Sequence, residues 1–316
     1  MNENKNDYQI GMVSIGIPAY NRAESLRKVL NIAISQTYQN IEIIVSDDAS
    51  PDDMVREVIE EFLPLDARVR YYKQEENKGV LANADFVLKM SQGEYFTWFS
   101  DDDWRAPEFV ESMVAELQGN KDVNMAFCDY HEVYEDGSRA LGYPSTHMGV
   151  FKPFQSQKRL MRIFACYWQD GVKGNCNIFY SVFRKKALDT LNIREISGGY
   201  QYLNMDRLIV FSMLQMGPVI IYPEVLCTLT CGNKKYYPGS LVSEENKQKT
   251  FWSKLIDFYK VQKQDRGLYI KNTSNMTEKI VIFFTFIPKT MLELVALPLK
   301  KWNFIIRKSA LKTIPD

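Results

Sequence analysis

From residue 12 to about 130, short β-branched runs alternate with stretches whose apolar residues recur every three or four positions. That alternation restricts the chain to few architectures. Val13-Ser14-Ile15-Gly16-Ile17 reads as a strand stopped by Pro18. Leu26, Val29, Leu30, Ala33 and Ile34 follow at helical spacing. Asn21 stands three positions before Glu24, the spacing of a capping box at the helix start. Residues 41–45 predict a second strand, and Met54, Val55, Val58, Ile59 and Phe62 a second helical stripe. The pattern continues with a strand over 69–72, a helix over 80–90 and a strand over 95–99. Pro107 suits the first turn of a further helix, with Phe109, Val110, Met113, Val114 and Leu117 on its apolar face, and 124–128 reads as another strand. Strict alternation of this kind predicts an α/β fold, a mostly parallel sheet flanked by helices. Ligands of such sheets sit beyond the carboxyl ends of the strands.

Beyond residue 130 the pattern loosens. Helices are expected at 160–168 and 205–216, and strands at 177–183 and 219–229. From about 242 the chain turns helical and lysine-rich, then strongly apolar. The organisation expected is one α/β unit over 10–240, divided near 130/131 where the pattern changes, and a helical C-terminal extension over 241–316.

Charge excludes one class. Lysine plus arginine number 39, as do aspartate plus glutamate, so there is no basic excess to hold nucleic acid. The five cysteines, Cys128, Cys166, Cys176, Cys227 and Cys231, are scattered without a CxxC pair. Reduced, buried thiols in a cytosolic protein are expected rather than a disulfide framework or a zinc site. Met1 to Gln9 is polar and lacks the apolar core of a signal peptide.

Local charge carries the functional argument. Phe99-Ser100-Asp101-Asp102-Asp103-Trp104 puts three adjacent carboxylates directly after a buried strand. Alternate residues of an extended segment share a side, so Asp101 and Asp103 can converge. Their mutual repulsion is relieved by a cation or by hydrogen-bond donors, and magnesium or manganese binds through one or two carboxylates plus substrate phosphates. The plainer alternative is a solvated turn capping the helix near Pro107. Asp47-Asp48-Ala49-Ser50 also follows a strand, where a carboxylate can receive a base or ribose or simply cap the next helix.

The order of these segments resembles the family-two glycosyltransferases, whose GT-A fold binds nucleotide sugars. The residues carrying the resemblance are Val13 to Arg22, Gln36-Thr37-Tyr38, Ile41 to Ser50, Asn77-Lys78-Gly79, Gly93-Glu94-Tyr95, Ser100 to Asp103 and Pro107. It is dense over 12–118 and thins afterwards. The resemblance implies that Pro18, Ala19, Tyr20, Asn21, Asp47 and Asp48 hold the nucleotide, one aspartate meeting the base, with Gly79 allowing close backbone approach. It aligns Asp102 with the metal position for Mn2+ or Mg2+ and Asp101 with a ribose or diphosphate contact. Ser100 stands where the motif often begins with aspartate, so the register is open and Asp103 is a second candidate for the metal.

Members of this kind invert the sugar's configuration, which requires a general base near the acceptor hydroxyl. Asn204-Met205-Asp206-Arg207-Leu208 occupies the family's place for it, with Met205 where glutamate is usual. Asp206 is the expected base, against the alternative of a capping or ion-paired aspartate; Asp170, Asp189 and Glu195 are weaker substitutes. His131 and His147, the two histidines, are candidates to touch substrate against the commoner outcome of a strand-edge or surface imidazole, and Trp104, Trp168 and Tyr200 are candidates to stack on sugar rings against the default of core packing. Residues 174–184 resemble the acceptor-side segment, and the lysines of 232–240 can offset phosphate charge or lie in a solvated loop.

The expected activity is metal-dependent, inverting transfer from a nucleoside-diphosphate sugar, a uridine nucleotide favoured, to a saccharide or polyprenyl-linked acceptor during glycan synthesis. Two other functions compete. A sugar-nucleotide pyrophosphorylase needs a glycine-rich basic signature that Pro18 to Asn21 lacks, and a non-catalytic sugar or nucleotide binder needs no base. In the tail, residues 280–287 are apolar, but Pro288, Lys289, Glu293 and Pro298 interrupt the roughly twenty residues a membrane span needs. Lys300, Lys301, Arg307, Lys308 and Lys312 suit an anionic surface. The expectation is a cytoplasmic protein whose tail either lies on the inner face of the cell membrane or packs on the catalytic domain or a partner.

Overall fold

The computed structural model describes residues 8–134, 136–139, 147–169, 177–196, 205–231, 263 and 266–291. The first half is a regular alternation: β1 (Gln9–Ala19), α1 (Ala23–Ile34), β2 (Ile41–Asp47), α2 (Met54–Phe62), β3 (Val69–Lys73), α3 (Val80–Met90) and β4 (Gly93–Trp98). Then come a two-residue β5 (Trp104–Arg105), α4 (Phe109–Gly119) and β6 (Met125–Tyr134). Further on are α5 (Met148–Phe151), α6 (Arg159–Trp168), β7 (Val182–Arg184), α7 (Lys185–Leu188), α8 (Ile193–Ile196), α9 (Met205–Met216) and β8 (Val219–Cys231).

Among the described residues, these strands form one eight-stranded sheet in the order β3-β2-β1-β4-β7-β6-β8-β5. The strands β3, β2, β1 and β4 run parallel. β7 lies antiparallel between β4 and β6, while β6 and β8 are parallel. The sheet is therefore mixed where its two halves meet. Every residue of β2 is buried, as a parallel strand covered on both faces requires. Burial of Glu42 within it is supported by Ser14 Oγ, the Gln92 amide and Arg70 Nη1, all donating to its carboxylate at 2.6 Å. Helix α3 lies hard against β1: a Cβ at Gly16 would fall 2.7 Å from Phe96 Cζ and 2.8 Å from Val87 Cγ2.

Two local expectations are corrected. The capping box does not form: α1 begins at Ala23 after an uncapped Arg22, because Asn21 adopts a left-handed backbone (φ 54°) and its amide donates to Ser50 Oγ at 2.8 Å. The strand expected over 177–183 is a 3₁₀ turn, Asn177–Tyr180, followed by the short β7. Its apolar residues satisfy either geometry, and only Val182, Phe183 and Arg184 pair with β4 and β6. Cys128, Cys166 and Cys227 are buried free thiols; Cys176 and the side chain of Cys231 lie outside the described residues.

Helical residues 266–271 and 276–291 pack on α6 and α9. Tyr269 meets Tyr167 and Phe211 edge-on at 5.1 and 4.7 Å, and Arg159 joins Glu278 at 2.6 Å while Nη1 donates to the Gln215 carbonyl at 2.7 Å. Among the described residues, no helix is long and apolar enough to cross a membrane.

Candidate active site

A cleft of about 590 Å³ opens beyond the carboxyl ends of β1, β2 and β4. Among the residues singled out in the sequence, Pro18, Ala19, Tyr20, Asp48, Gly79, Asp101, Asp102 and Asp206 line it. Asn21, Asp47 and Asp103 are not in its lining.

The two aspartates at the end of β2 diverge, as successive residues of an extended strand do, and Ala49 just beyond them takes a left-handed conformation (φ 59°). Asp47 turns inward: its Oδ1 accepts the Ser50 amide at 2.9 Å and the Ser50 hydroxyl at 2.5 Å, and Tyr71 donates to Oδ2 at 3.2 Å. Asp48 accepts the amides of Lys78 and Gly79 at 2.9 and 2.8 Å, fixing the turn that precedes α3. Neither carboxylate caps α2, whose start at Met54 lacks a side-chain cap from Asp53. Gly79 has φ 85° and open space where a Cβ would stand, so it serves the turn by its backbone. Asn83 braces this wall, its Nδ2 donating to the carbonyls of Ser46 (2.9 Å) and Ala19 (3.3 Å), while its Oδ1 is buried with no hydrogen-bond partner among the described residues.

The three aspartates after β4 also separate. Arg22 Nη1 lies 3.1 Å from Asp101 Oδ1 and 3.9 Å from Asp102 Oδ2. Ser100 Oγ donates to the other oxygen of Asp102. Asp103 is buried, its Oδ1 accepting the Thr230 amide at 2.9 Å, and Thr230 Oγ1 donates to the Asp102 carbonyl at 2.5 Å. Burial pushes the Asp103 carboxyl up to about 7 against the pull of Arg105, and burial also raises Asp101 against the pull of Arg22. Arg105 is buried with its guanidinium 4.3 Å from the centre of the Phe99 ring.

Asp206 stands in the first turn of α9. The neighbouring Arg207 anchors that turn, its Nη2 donating to the carbonyls of Cys166, Tyr167 and Gln169 at 2.9 to 3.1 Å. Tyr180, on the cleft wall, is held far above its ordinary pKa by burial and then by Asp103, Asp102 and Asp206. One phenol thus feels both the acidic loop and Asp206. Asp189 is instead engaged by Lys185 at 2.8 Å and by Tyr8 at 2.7 Å, and neither it nor Glu195 lines the cleft. Asp170, Asn204, Tyr200, residues 170–176 and residues 232–240 lie outside the described residues.

His131 is exposed on β6. His147 is buried, stacked on Tyr130 at 3.8 Å, with Nδ1 3.7 Å from Asp129 and Nε2 3.4 Å from Glu132. Trp104 is half exposed outside the cleft lining, and Trp168 stacks on Phe164 at 5.3 Å. Sequence reasoning did not single out Arg22, Asn83 or Tyr180 as site residues. Arg22 lies inside the opening motif, but only the folded loops put its guanidinium beside two carboxylates.

The donor set suits a hard divalent cation. Asp101 and Asp102 offer adjacent carboxylate oxygens at the cleft, and the Arg22 guanidinium beside both shows that a positive charge is accommodated there. Among the described residues, no group of three or more His, Cys, Asp or Glu side chains could hold a metal by itself. Mg2+ or Mn2+, which complete their shells with phosphate oxygens and water, fit such a partial site.

A helix-flanked sheet with this cleft at its strand ends is a GT-A fold. The chain belongs to glycosyl transferase family 2, whose profile matches residues 14–191. An uncharacterized glycosyltransferase of Rickettsia conorii is 38% identical over 132 residues, 42% of this chain and 21% of that protein. Glycosyltransferase GlyG of Streptococcus pneumoniae is 32% identical over 128 residues, 40% of this chain and 42% of GlyG. The matched stretch is thus less than half of either relative. In structure the chain is similar to S. aureus TarS 1-349 in complex with UDP, with a TM-score of 0.58, 17% identity and coverage of 87% of this chain and 70% of that one. It is also similar to the mannosyltransferase PcManGT of Pyrobaculum calidifontis in complex with GDP-Man and Mn2+, with a TM-score of 0.52, 14% identity and coverage of 96% and 80%.

Proposed function

We propose that this protein is a metal-assisted inverting glycosyltransferase. It moves a sugar from a nucleoside-diphosphate donor, uridine favoured, to a saccharide or polyprenyl-linked acceptor in glycan synthesis. The observation carrying the reading is the convergence of Asp48, Asp101, Asp102 and Asp206 on one cleft. Its size suits a nucleotide sugar, since ligand sites commonly span about 300–1,000 Å³.

In this reading Ala19, Tyr20 and the turn pinned by Asp48 receive the nucleoside, with Asn83 Oδ1 an available acceptor. Asp102, with Asp101 beside it, holds Mn2+ or Mg2+. The bound cation would neutralise charge on the departing diphosphate. Arg22 exchanges its carboxylate partners for phosphate oxygens. Asp206 takes the proton of the acceptor hydroxyl as that oxygen attacks the anomeric carbon on the face opposite the leaving group. Residues of about 10–130 supply the nucleotide side and those of 131–240 the acceptor side, while the extension 241–316 brings the enzyme to the cytoplasmic face of a membrane.

The test is a thermal-shift screen of nucleotide sugars with Mn2+, followed by an assay of free nucleoside diphosphate. A ligand that binds only the native state raises its stability. Selective stabilisation by one donor and Mn2+-dependent diphosphate release are expected. Stabilisation without release, in the presence of candidate acceptors and alone, would favour a non-catalytic binder.

A further inference from the structure

Residues 276–291 form a helix that buries one face against the other described residues and leaves a second, apolar face exposed. Ile282 and Phe286 are buried, and Glu278 on the same side is paired with Arg159. On the other side Met276, Ile280, Phe283, Phe284, Ile287 and Met291 are all exposed, Phe284 by 71% and Ile287 by 66%. At about 100° per residue, these six fall within an arc of about 100°, one continuous stripe. A contiguous outward patch of large apolar side chains marks an interaction surface.

Charge selects the partner. Of the charged residues in 266–291, Glu278 and Lys289 are buried; those left at the surface, Arg266, Lys271 and Lys279, are all cationic. Arg266 lies over the Phe283 ring at 5.2 Å, at the margin of the stripe. The same sign extends through the surrounding sequence: residues 241–316 contain fourteen lysines and arginines against seven aspartates and glutamates, in a chain whose total is balanced. A protein partner of matching shape would need an acidic rim. A bilayer rich in anionic lipid supplies apolar depth and negative charge together.

We infer that the stripe from Met276 to Met291 is a docking surface for an anionic lipid bilayer, on which the helix lies flat with Phe283, Phe284 and Ile287 inserted. This rests on the proposed reading that the enzyme serves a membrane-linked acceptor, and it assigns the surface that does so. The helix is rigidly tied to the catalytic fold: the Arg159 that binds Glu278 also binds Gln215 in the last turn of α9, the helix whose first turn carries Asp206. Docking therefore fixes the orientation of the acceptor side of the cleft relative to the lipid.

The experiment is vesicle flotation of the full chain on phosphatidylcholine alone and on phosphatidylcholine with about one third phosphatidylglycerol. The expectation is at least tenfold stronger binding to the anionic vesicles, weakened by salt because surface attraction is screened. Phe284→Ser with Ile287→Ser, both strongly exposed positions, should lower that binding at least tenfold with an unchanged melting temperature. A paired variant, Lys271→Glu with Lys279→Glu, should remove the preference for anionic over neutral vesicles. Absence of wild-type binding, or equal binding by the serine variant, overturns the inference. So does a dimer in sedimentation that the serine variant abolishes, which would make a second copy the occupant. A large drop in its melting temperature likewise overturns it, by making another segment of this chain the occupant. Nucleotide-induced stabilisation, measured on each variant without lipid, reports the transferase reading separately.

Discussion

The backbone amide of Thr230 donates to Asp103 at 2.9 Å and its hydroxyl donates to the Asp102 carbonyl at 2.5 Å, so the end of β8 is latched onto the acidic loop. The latch holds the loop from behind and leaves Asp101 and Asp102 to the cleft. Replacing Thr230 by Val keeps the amide bond and removes the hydroxyl bond, a loss of about 1 kcal/mol. The expected outcome is a melting temperature lower by roughly 2–4 °C and a several-fold rise in the Mn2+ concentration needed for donor binding. Calorimetry and metal titration check it; an unchanged Mn2+ requirement would show that the loop does not depend on this contact.

Asp206→Asn and Asp102→Asn should each lower sugar transfer at least about a hundredfold, the usual scale for general-base loss. They should differ in binding. Asp206→Asn keeps nucleotide-dependent stabilisation, whereas Asp102→Asn weakens its Mn2+-dependent part. Full transfer by Asp206→Asn would assign the base elsewhere.

Arg22 sits on the surface, so its ion pair with Asp101 contributes little stability, within about 1 kcal/mol. Its effect should appear in metal binding. Arg22→Ala removes a competing cation from both carboxylates, and the expected result is several-fold tighter Mn2+ binding without nucleotide, followed by calorimetric titration. Tighter metal binding should come with weaker binding of the diphosphate donor. If Mn2+ affinity is unchanged, the guanidinium does not occupy the cation's place.

The buried His147 predicts a pH dependence. Burial alone would lower its pKa, but the carboxylates of Asp129 and Glu132 outweigh burial and raise it above its ordinary value of 6.5. A raised folded pKa contributes stability that is complete below pH 6.5 and is lost as pH rises through the folded value. Glu132, raised chiefly by burial, gives a slope of the same sign from lower pH. Urea unfolding should therefore show stability falling above pH 6.5, and His147→Gln should flatten that part of the curve. Equal slopes in both proteins would sink the assignment.

The alternating half of the fold was legible because period-2 and helical patterns are local. Residues 41–45 lie within β2 and the stripe from Met54 to Phe62 became α2. What sequence could not give was direction. Three consecutive aspartates look equivalent on paper, and only the distant Thr230 shows that Asp103 is turned into the protein while its neighbours border the cleft. Asn21 had the spacing of a helix cap, but Ser50, from the next loop, claimed its amide. The short β7 illustrates the same limit, since no local pattern records whether a strand runs with or against partners far away in the chain.

That strand has a consequence for biogenesis. Phe183 pairs with Phe96 on one flank and with Met125 on the other, so three residues stitch together strands whose paired residues precede them by more than fifty positions. A nascent chain that has emerged only through β6 carries an open seam, with two rows of unused peptide groups facing each other and inviting wrong partners. The early βα units must wait for residues 182–184 before the seam can close. A fragment cut just after β6 would therefore be prone to aggregation rather than a working nucleotide-binding module.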